Sequence, residues 1–224
     1  LWEGPIVRRL IEAAPEDAIM FSGNSMSVRD FDSFSGCITK RLRLFANRGT
    51  NGIDGSISTL IGIAAAQHPT TTVAMIGDMA FAHDCGSLQL AGERNIVLVV
   101  LNNGGGGIFE YLPTVRTPEY QDFLSPPTVN IGFAAQAGGW RHWRAADLTG
   151  FSTALEEAMN TPGPCLIEAV IDRKNSVHQH KHFWAAVETI NVTLREHGPS
   201  GMIEVFGDLG DEADESSFGF DSDE

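Results

Sequence analysis

Two stretches of the chain end apolar runs in residues suited to a hard cation. Thr72 to Ile76 closes on Gly77-Asp78, and Ile96 to Leu101 closes on Asn102-Asn103, followed by the glycines Gly104, Gly105, Gly106 and Gly107. A carboxylate, an amide oxygen and carbonyls bared in a glycine run make an all-oxygen donor set, which suits Mg²⁺. That ion keeps few protein ligands and fills its octahedron with phosphate oxygens and water. The glycines also let backbone approach a diphosphate closely. Either piece alone is an ordinary strand-ending turn. The pair is more specific, because Asp78 and Asn103 stand 25 residues apart at the ends of two buried strands. Arg29 and Arg48 offer a second chemistry, since guanidinium forks pair with carboxylates through two bonds. Taken singly, Arg29 reads as a surface partner of Asp30 or Asp32, and Arg48 as a loop contact.

The elements that must position these residues follow from pattern. Gly4 to Ala14 predicts a helix, with Pro5 in its first turn and Ile6, Val7, Leu10 and Ile11 on one face. Ala18 to Phe21 and Arg43 to Phe45 predict short strands. The first runs into the turn-like Ser22-Gly23-Asn24-Ser25. The second runs into a loop from Asn47 to Gly55 rich in residues that tolerate positive φ. Ser56 to Gln67 predicts a helix. Thr72 to Ile76, Ile96 to Leu101 and Cys165 to Ile171 predict buried strands, and IVLVVL suits a parallel strand covered on both faces. Asp84 to Ala91, Asn130 to Ala137, Thr149 to Met159 and Val177 to Glu196 predict helices. Trp140 and Trp143 flank Arg141 and His142, which predicts an amphipathic strand packed on the core. Alternating strands and helices predict an α/β fold with a mainly parallel sheet and helices on both faces.

Composition bounds the partners. Of the net charge of −14, the stretch from Arg195 to Glu224 carries −9, so the other residues are ordinarily charged. A chain this acidic will not hold a polyanion through phosphate contacts, which argues against nucleic acid. No apolar run approaches the roughly 20 residues of a membrane span. Cys37, Cys85 and Cys165 form no CxxC, and an odd count without a framework suggests a reducing compartment. The chain opens on Leu1 with no basic-then-apolar leader, and the expectation is a cut inside a longer polypeptide. Beyond His197 the pattern breaks up, so residues 198–224 are expected to form an acidic, disordered tail.

A resemblance joins these pieces. Gly77-Asp78 followed by Asn103 resembles the metal–diphosphate motif of thiamine-diphosphate enzymes, with Met79 where a third glycine is usual. Further blocks narrow it. They are Gly23-Asn24-Ser25-Met26-Ser27-Val28-Arg29-Asp30, Asn47-Arg48-Gly49, Gly52-Ile53-Asp54-Gly55 with Ser58-Thr59, His83-Asp84, and Asn102 to Phe109. Together they resemble the 2-succinyl-5-enolpyruvyl-6-hydroxy-3-cyclohexene-1-carboxylate synthases of the menaquinone pathway, where an apolar residue commonly follows the Asp. The likeness runs from about Trp2 to about Trp184, taking in Asp172-Arg173-Lys174-Asn175 and Phe183-Trp184.

The resemblance implies roles. Asp78 and Asn103 would hold Mg²⁺ or Mn²⁺ through their side chains, and Gly105 through its carbonyl. Ile53 would prop the thiamine in its bent form. Gly77, Met79, Gly106, Ile108 and Phe109 would line the cofactor site. Ser25, Arg29 and Arg48 would hold the carboxylates of 2-oxoglutarate and isochorismate. The implied reaction is decarboxylation of 2-oxoglutarate and 1,4-addition of the succinyl carbanion equivalent to isochorismate. The implied location is the cytoplasm, and the implied assembly a homodimer or homotetramer. Residues 1–40 would be a lead-in and the start of the diphosphate-binding domain, and 41–197 the domain itself. The family's central domain has no counterpart in these residues. Nor has its pyrimidine-binding domain, with the Glu that activates the cofactor. The chain alone is therefore expected to be inactive, its site completed by a second subunit or a missing N-terminal part. Two alternatives stay open: another thiamine-diphosphate decarboxylase or carboligase, and a non-catalytic cofactor-binding domain.

Other features are given less. His178, His180 and His182 lie in VHQHKHFW, but no acidic or Cys ligand accompanies them, and a solvated or interface role is expected. His83-Asp84 either orients something near the diphosphate or Asp84 caps a helix. Ser25 lies in GNSM, not in a GxSxG elbow, which argues against a hydrolase.

Overall fold

A computed structural model describes residues 1–120 and 124–206, and for residues 114, 116 and 196–206 only the backbone. The chain divides into two compact units, Leu1–Val177 and His178–Glu224. The first holds a six-stranded sheet of β1 (Ile19–Ser22), β2 (Arg43–Ala46), β3 (Thr72–Gly77), β4 (Ile96–Asn102), β5 (Arg141–Ala145) and β6 (Pro164–Val170). Its order is β2-β1-β3-β4-β6-β5, and every pairing is parallel. The helices are α1 (Glu3–Ala13), α2 (Met26–Phe34), α3 (Ser56–Ala66), α4 (Asp78–Asp84), α5 (Ile131–Ala137), α6 (Leu148–Met159) and α7 (Arg173–Phe206). The expected α/β fold is thus present. Residues 1–40 supply α1, β1 and α2, and β1 lies inside the sheet.

The central strands are buried along almost their whole length, because helices cover both faces. Side chains alternate across a strand. Ala74, Ile76, Ile96, Leu98 and Val100 join Ile57, Leu60, Phe81, Ile131 and Trp140 in one cluster, with α3, α4 and α5 over that face. Helix α1 packs against α2 and α6, which in turn pack on strands β1, β3, β5 and β6. The chain passes from β1 outward to β2 and then back to β3 on the other side of β1. Connections therefore diverge beyond the carboxyl ends of β1 and β3, the crevice where open parallel sheets bind ligands.

Three local expectations are corrected. The predicted helix Asp84 to Ala91 is a 3-10 turn, Cys85–Leu90, preceded by α4, which starts at Asp78. Asp84 leaves helical geometry (φ −119°, ψ 12°) and spends its carboxylate elsewhere. Its Oδ2 accepts from the Ile57 and Ser58 amides at 2.7 and 2.8 Å, and its Oδ1 from the Ser87 hydroxyl at 2.7 Å. Asp84 thus caps α3, one of the two roles expected for it. Helix α2 was not expected at all. Lastly, α7 starts at Arg173, before Val177, and runs to Phe206, past residue 198 where a tail was expected; residues 207–224 lie outside the described residues.

In the second unit, His180 packs edge-on against Trp184, ring centroids 5.5 Å apart. No group of three His, Cys, Asp or Glu that could hold a metal occurs among the described residues. No helix among them is long and apolar enough to cross a membrane. Cys37 is exposed, Cys85 half-buried and Cys165 buried, all with free thiols.

Candidate cofactor site

Strands β2, β1, β3 and β4 are neighbours, so the residues that follow them share one edge. Asp78 follows β3 as the first residue of α4 and is 3% exposed. Its Oδ1 accepts from the Met79 amide at 2.8 Å, and its Oδ2 accepts from the Gly105 amide at 2.8 Å. The second bond joins the two sequence pieces, 27 residues apart along the chain. Burial pushes the Asp78 carboxyl above its ordinary value, against the pull of the Gly105, Met79 and Gly104 amides and the Arg173 charge. A cation beside it would offset that cost.

The loop after β4 is built to bring backbone close. Gly104, Gly105 and Gly106 all take positive φ (77°, 79° and 64°). At Gly105 no other residue fits: a Cβ would stand 2.3 Å from the Ser125 carbonyl oxygen and 3.1 Å from Pro126 Cα. The Asn103 Oδ1 is buried and has no hydrogen-bond partner. Such an orphan costs about 1–3 kcal/mol unless something else satisfies it. An uncompensated acceptor beside a buried carboxylate and a glycine-loop carbonyl fits a divalent cation with oxygen ligands. The donor set of Asp78, Asn103 and Gly105 could therefore hold Mg²⁺.

Two supports flank the loop. On one side Asn102 accepts from the Gly104 amide at 3.3 Å and donates to Glu168 Oε1 at 2.7 Å. On the other, the Arg173 guanidinium donates to the Asn103 and Gly105 carbonyls. Residues Ile108 and Phe109 follow, half-buried, on a 3-10 turn from Gly107 to Tyr111, and Met79 is half-buried on α4. Ile53 packs at the margin of the core cluster, in the loop that leads into α3.

The arginine group assembles on the same edge. Gly23, following β1, donates to the Met75 carbonyl at 2.8 Å, tying its turn to β3. Ser25 holds φ 65° and ψ −131°, a rare conformation for a residue with a side chain. Arg29 Nη1 donates to the Ser25 carbonyl at 2.6 Å. Arg48 Nη1 donates to Asn24 Oδ1 at 3.0 Å, and Asn24 Nδ2 donates to the Gly52 carbonyl at 2.7 Å. Ser25, Arg29 and Arg48 are thereby brought together through buried Asn24. Sequence reasoning did not single out Asn24, Asn102, Glu168 or Arg173. Asn24, Asn102 and Arg173 stand inside the blocks that carried the resemblance, which was the available signal. Glu168 had none.

A cavity of about 330 Å³ lies beside the loop, lined among others by Asn102, Gly104, Pro126, His142 and Glu168; neither Asp78 nor Asn103 reaches it. His142 Nε2 is buried, 3.6 Å from Glu168 Oε2. Burial lowers the imidazole below its ordinary value, partly countered by Glu168, and Arg144 lowers it further. A histidine depressed in the folded state contributes stability that is full above its unfolded value near pH 6.5 and is lost as pH falls through it. His142→Gln should flatten the loss of stability between pH 7.5 and 5. Denaturant midpoints at the two pH values check this, and an unchanged difference between them would contradict it.

Comparisons place the chain. Residues 35–169, more than half of it, match the family model "Thiamine pyrophosphate enzyme, C-terminal TPP binding domain". The chain is similar to proteins named 2-succinyl-5-enolpyruvyl-6-hydroxy-3-cyclohexene-1-carboxylate synthase. That of Bacillus pumilus is 38% identical over 185 residues, 80% of this chain and 32% of the relative. That of Dechloromonas aromatica is 46% identical over 160 residues, 71% of this chain and 29% of the relative. The chain thus spans about a third of the length of the curated relatives it matches. The thiamine diphosphate-dependent 4-hydroxybenzoylformate decarboxylase of Rhodococcus jostii RHA1 superposes with a TM-score of 0.63 at 23% identity, covering 77% of this chain and 33% of that one. At that identity it supports the fold alone. With its parallel sheet, its glycine loop and a family match that spans β2 to β6, the chain belongs to the thiamine pyrophosphate enzymes, as their C-terminal TPP-binding domain.

Proposed function

We propose that this chain is the diphosphate-binding part of a synthase that decarboxylates 2-oxoglutarate and adds the remaining succinyl unit to isochorismate in menaquinone biosynthesis. The observation that carries the reading is the joined pair of Asp78 and the glycine loop, with the unsatisfied Asn103 Oδ1 beside it. The named relatives support the choice of synthase. In this reading Asp78, Asn103 and the Gly105 carbonyl hold Mg²⁺ against the diphosphate of thiamine diphosphate. When bound, that cofactor supplies decarboxylation of a 2-oxo acid and transfer of the acyl-anion equivalent.

The rest is the work of this chain's residues. A cation held by these oxygens would neutralise the diphosphate. Ile53, at the entrance to α3, would give the bound cofactor an apolar prop. Ile108 and Phe109 shield the reacting atoms from water. Arg29 and Arg48 neutralise substrate carboxylates and orient them, with Ser25 between. The two substrates bring four carboxylates, and two arginines, bonded to Ser25 and to its neighbour Asn24, suit them better than an apolar 2-oxo acid. Exposed Leu44 and Phe45 on edge strand β2 offer a seat for the pyrimidine-binding domain that would complete the site.

Arg48→Ala should raise the 2-oxoglutarate KM about tenfold to a hundredfold, the scale of a lost charge-assisted pair. Cofactor affinity should not change. Steady-state kinetics of the completed enzyme check this, and a weakened cofactor with unchanged KM would contradict the role. The function itself is tested by co-expressing the chain with a polypeptide carrying the pyrimidine-binding domain. With Mg²⁺, thiamine diphosphate and both substrates, isochorismate should be consumed only when both polypeptides are present. Cofactor binding without isochorismate consumption would overturn the substrate reading.

A further inference from the structure

The glycine loop has a problem that its own residues do not solve. Three successive positive-φ glycines gain little from any one conformation, and fixing each costs more entropy than fixing other residues. Yet the loop must hold the Asn103 side chain and the Gly105 carbonyl in register with Asp78. One side chain meets its carbonyls from a distant part of the chain. Arg173 Nε and Nη2 both donate to the Asn103 carbonyl, at 3.0 and 2.6 Å, and Nη2 also donates to the Gly105 carbonyl. Its Nη1 lies 3.7 Å from Glu110 Oε1, across the 3-10 turn that follows the loop. The side chain is only one-fifth exposed, so these are charge-assisted bonds in a partly dry site.

We infer that Arg173 is a positioning residue that clamps the glycine loop in its cation-binding shape. The inference rests on the cation site proposed above. The fork geometry matters as much as the charge. A planar guanidinium spans two carbonyls that face it two residues apart, which an ammonium point charge does not do in the same way.

The clamp also ties the site to both ends of the first unit. Arg173 is the first residue of α7. Beside it the Asp172 amide donates to the Leu1 carbonyl at 3.0 Å, and the Ser176 hydroxyl donates to the buried carboxylate of Glu3 at 2.5 Å. The start of α1, the first turn of α7 and the glycine loop thus form one connected series within the first unit.

The test uses the full chain with Arg173→Gln and Arg173→Lys. Amide exchange at Gly104 and Gly105, read in the metal-free chain, should be at least tenfold faster in both variants, while protection in β3 and β4 is unchanged. The dissociation constant for Mn²⁺ with thiamine diphosphate, read from the free Mn²⁺ resonance signal, should rise at least tenfold in both. Loop exchange that does not change in R173Q would overturn the inference. So would wild-type behaviour in R173K, since charge alone would then suffice. A wild-type chain that binds Mn²⁺ and an R173Q chain that binds it equally well would overturn the inference alone. A wild-type chain that binds no Mn²⁺ would overturn the site reading beneath it.

Discussion

Asp78→Asn should abolish Mg²⁺-dependent binding of thiamine diphosphate while leaving the fold in place. The substitution keeps the shape of the side chain and one oxygen acceptor. That oxygen keeps one of the two 2.8 Å bonds from the Met79 and Gly105 amides, while the NH2 faces the other amide, which loses its acceptor. What is removed is the single carboxylate in a donor set otherwise made of an amide oxygen and a carbonyl. Losing an outer partner of a metal ligand commonly costs tenfold to a hundredfold in affinity, so losing a charged ligand should cost about a hundredfold or more. Burial holds the Asp78 carboxyl above its ordinary value, so relief of the buried charge offsets the one amide left without its acceptor in the metal-free chain. Cofactor titration with and without Mg²⁺, alongside thermal unfolding of the metal-free variant, checks both parts. Unchanged affinity would remove Asp78 from the cation site.

Gly105→Ala should be the most damaging single methyl in the first unit. Its φ of 79° costs a residue with a side chain roughly 1–3 kcal/mol. The added Cβ would also stand 2.3 Å from the Ser125 carbonyl oxygen and 2.7 Å from its carbon, and backbone on that side cannot swing away as a flexible side chain would. The loop must move, and with it goes the Gly105 amide that Asp78 accepts. Gly104→Ala is the control. Its φ is 77°, but its nearest neighbour would be an Arg173 nitrogen at 3.5 Å, an ordinary contact. The expected order is a modest loss of stability in Gly104→Ala. Gly105→Ala should lose more, and lose Mg²⁺-dependent cofactor binding as well. Denaturant midpoints and cofactor titration read the two effects, and equal behaviour of the two variants would contradict the crowding argument.

The parts of this molecule that sequence could reveal are those encoded locally. The IVLVVL run declared a strand buried on both faces, and it is the fully covered β4. The ends of β3 and β4 carried Asp78 and Asn103 in plain view, and strand order makes them neighbours. What stayed hidden depends on contacts between distant segments. Helix α2 follows a Ser25 in a rare backbone conformation held by Arg29, and its sequence, MSVRDFDSF, starts without a capping side chain. Asp84 looked like the start of its own helix, but its carboxylate satisfies amides of α3 that lie 26 and 27 residues earlier. Arg173 meets carbonyls 68 and 70 residues away, which no periodicity announces. Asn24 stands within one of the resembling blocks, yet its task, bonding Arg48 on one side and Gly52 on the other, is visible only once the two loops meet.

If Asp78, Asn103 and the Gly105 carbonyl form a cation site for a diphosphate cofactor, binding of that cofactor needs a divalent ion. Calorimetric titration of the full chain with thiamine diphosphate, run with Mg²⁺ and again with excess chelator, tests it most directly. Saturable binding that disappears with the chelator and is restored by Mg²⁺ or Mn²⁺ is the predicted result. Binding of equal strength under both conditions, or none in either, would contradict it.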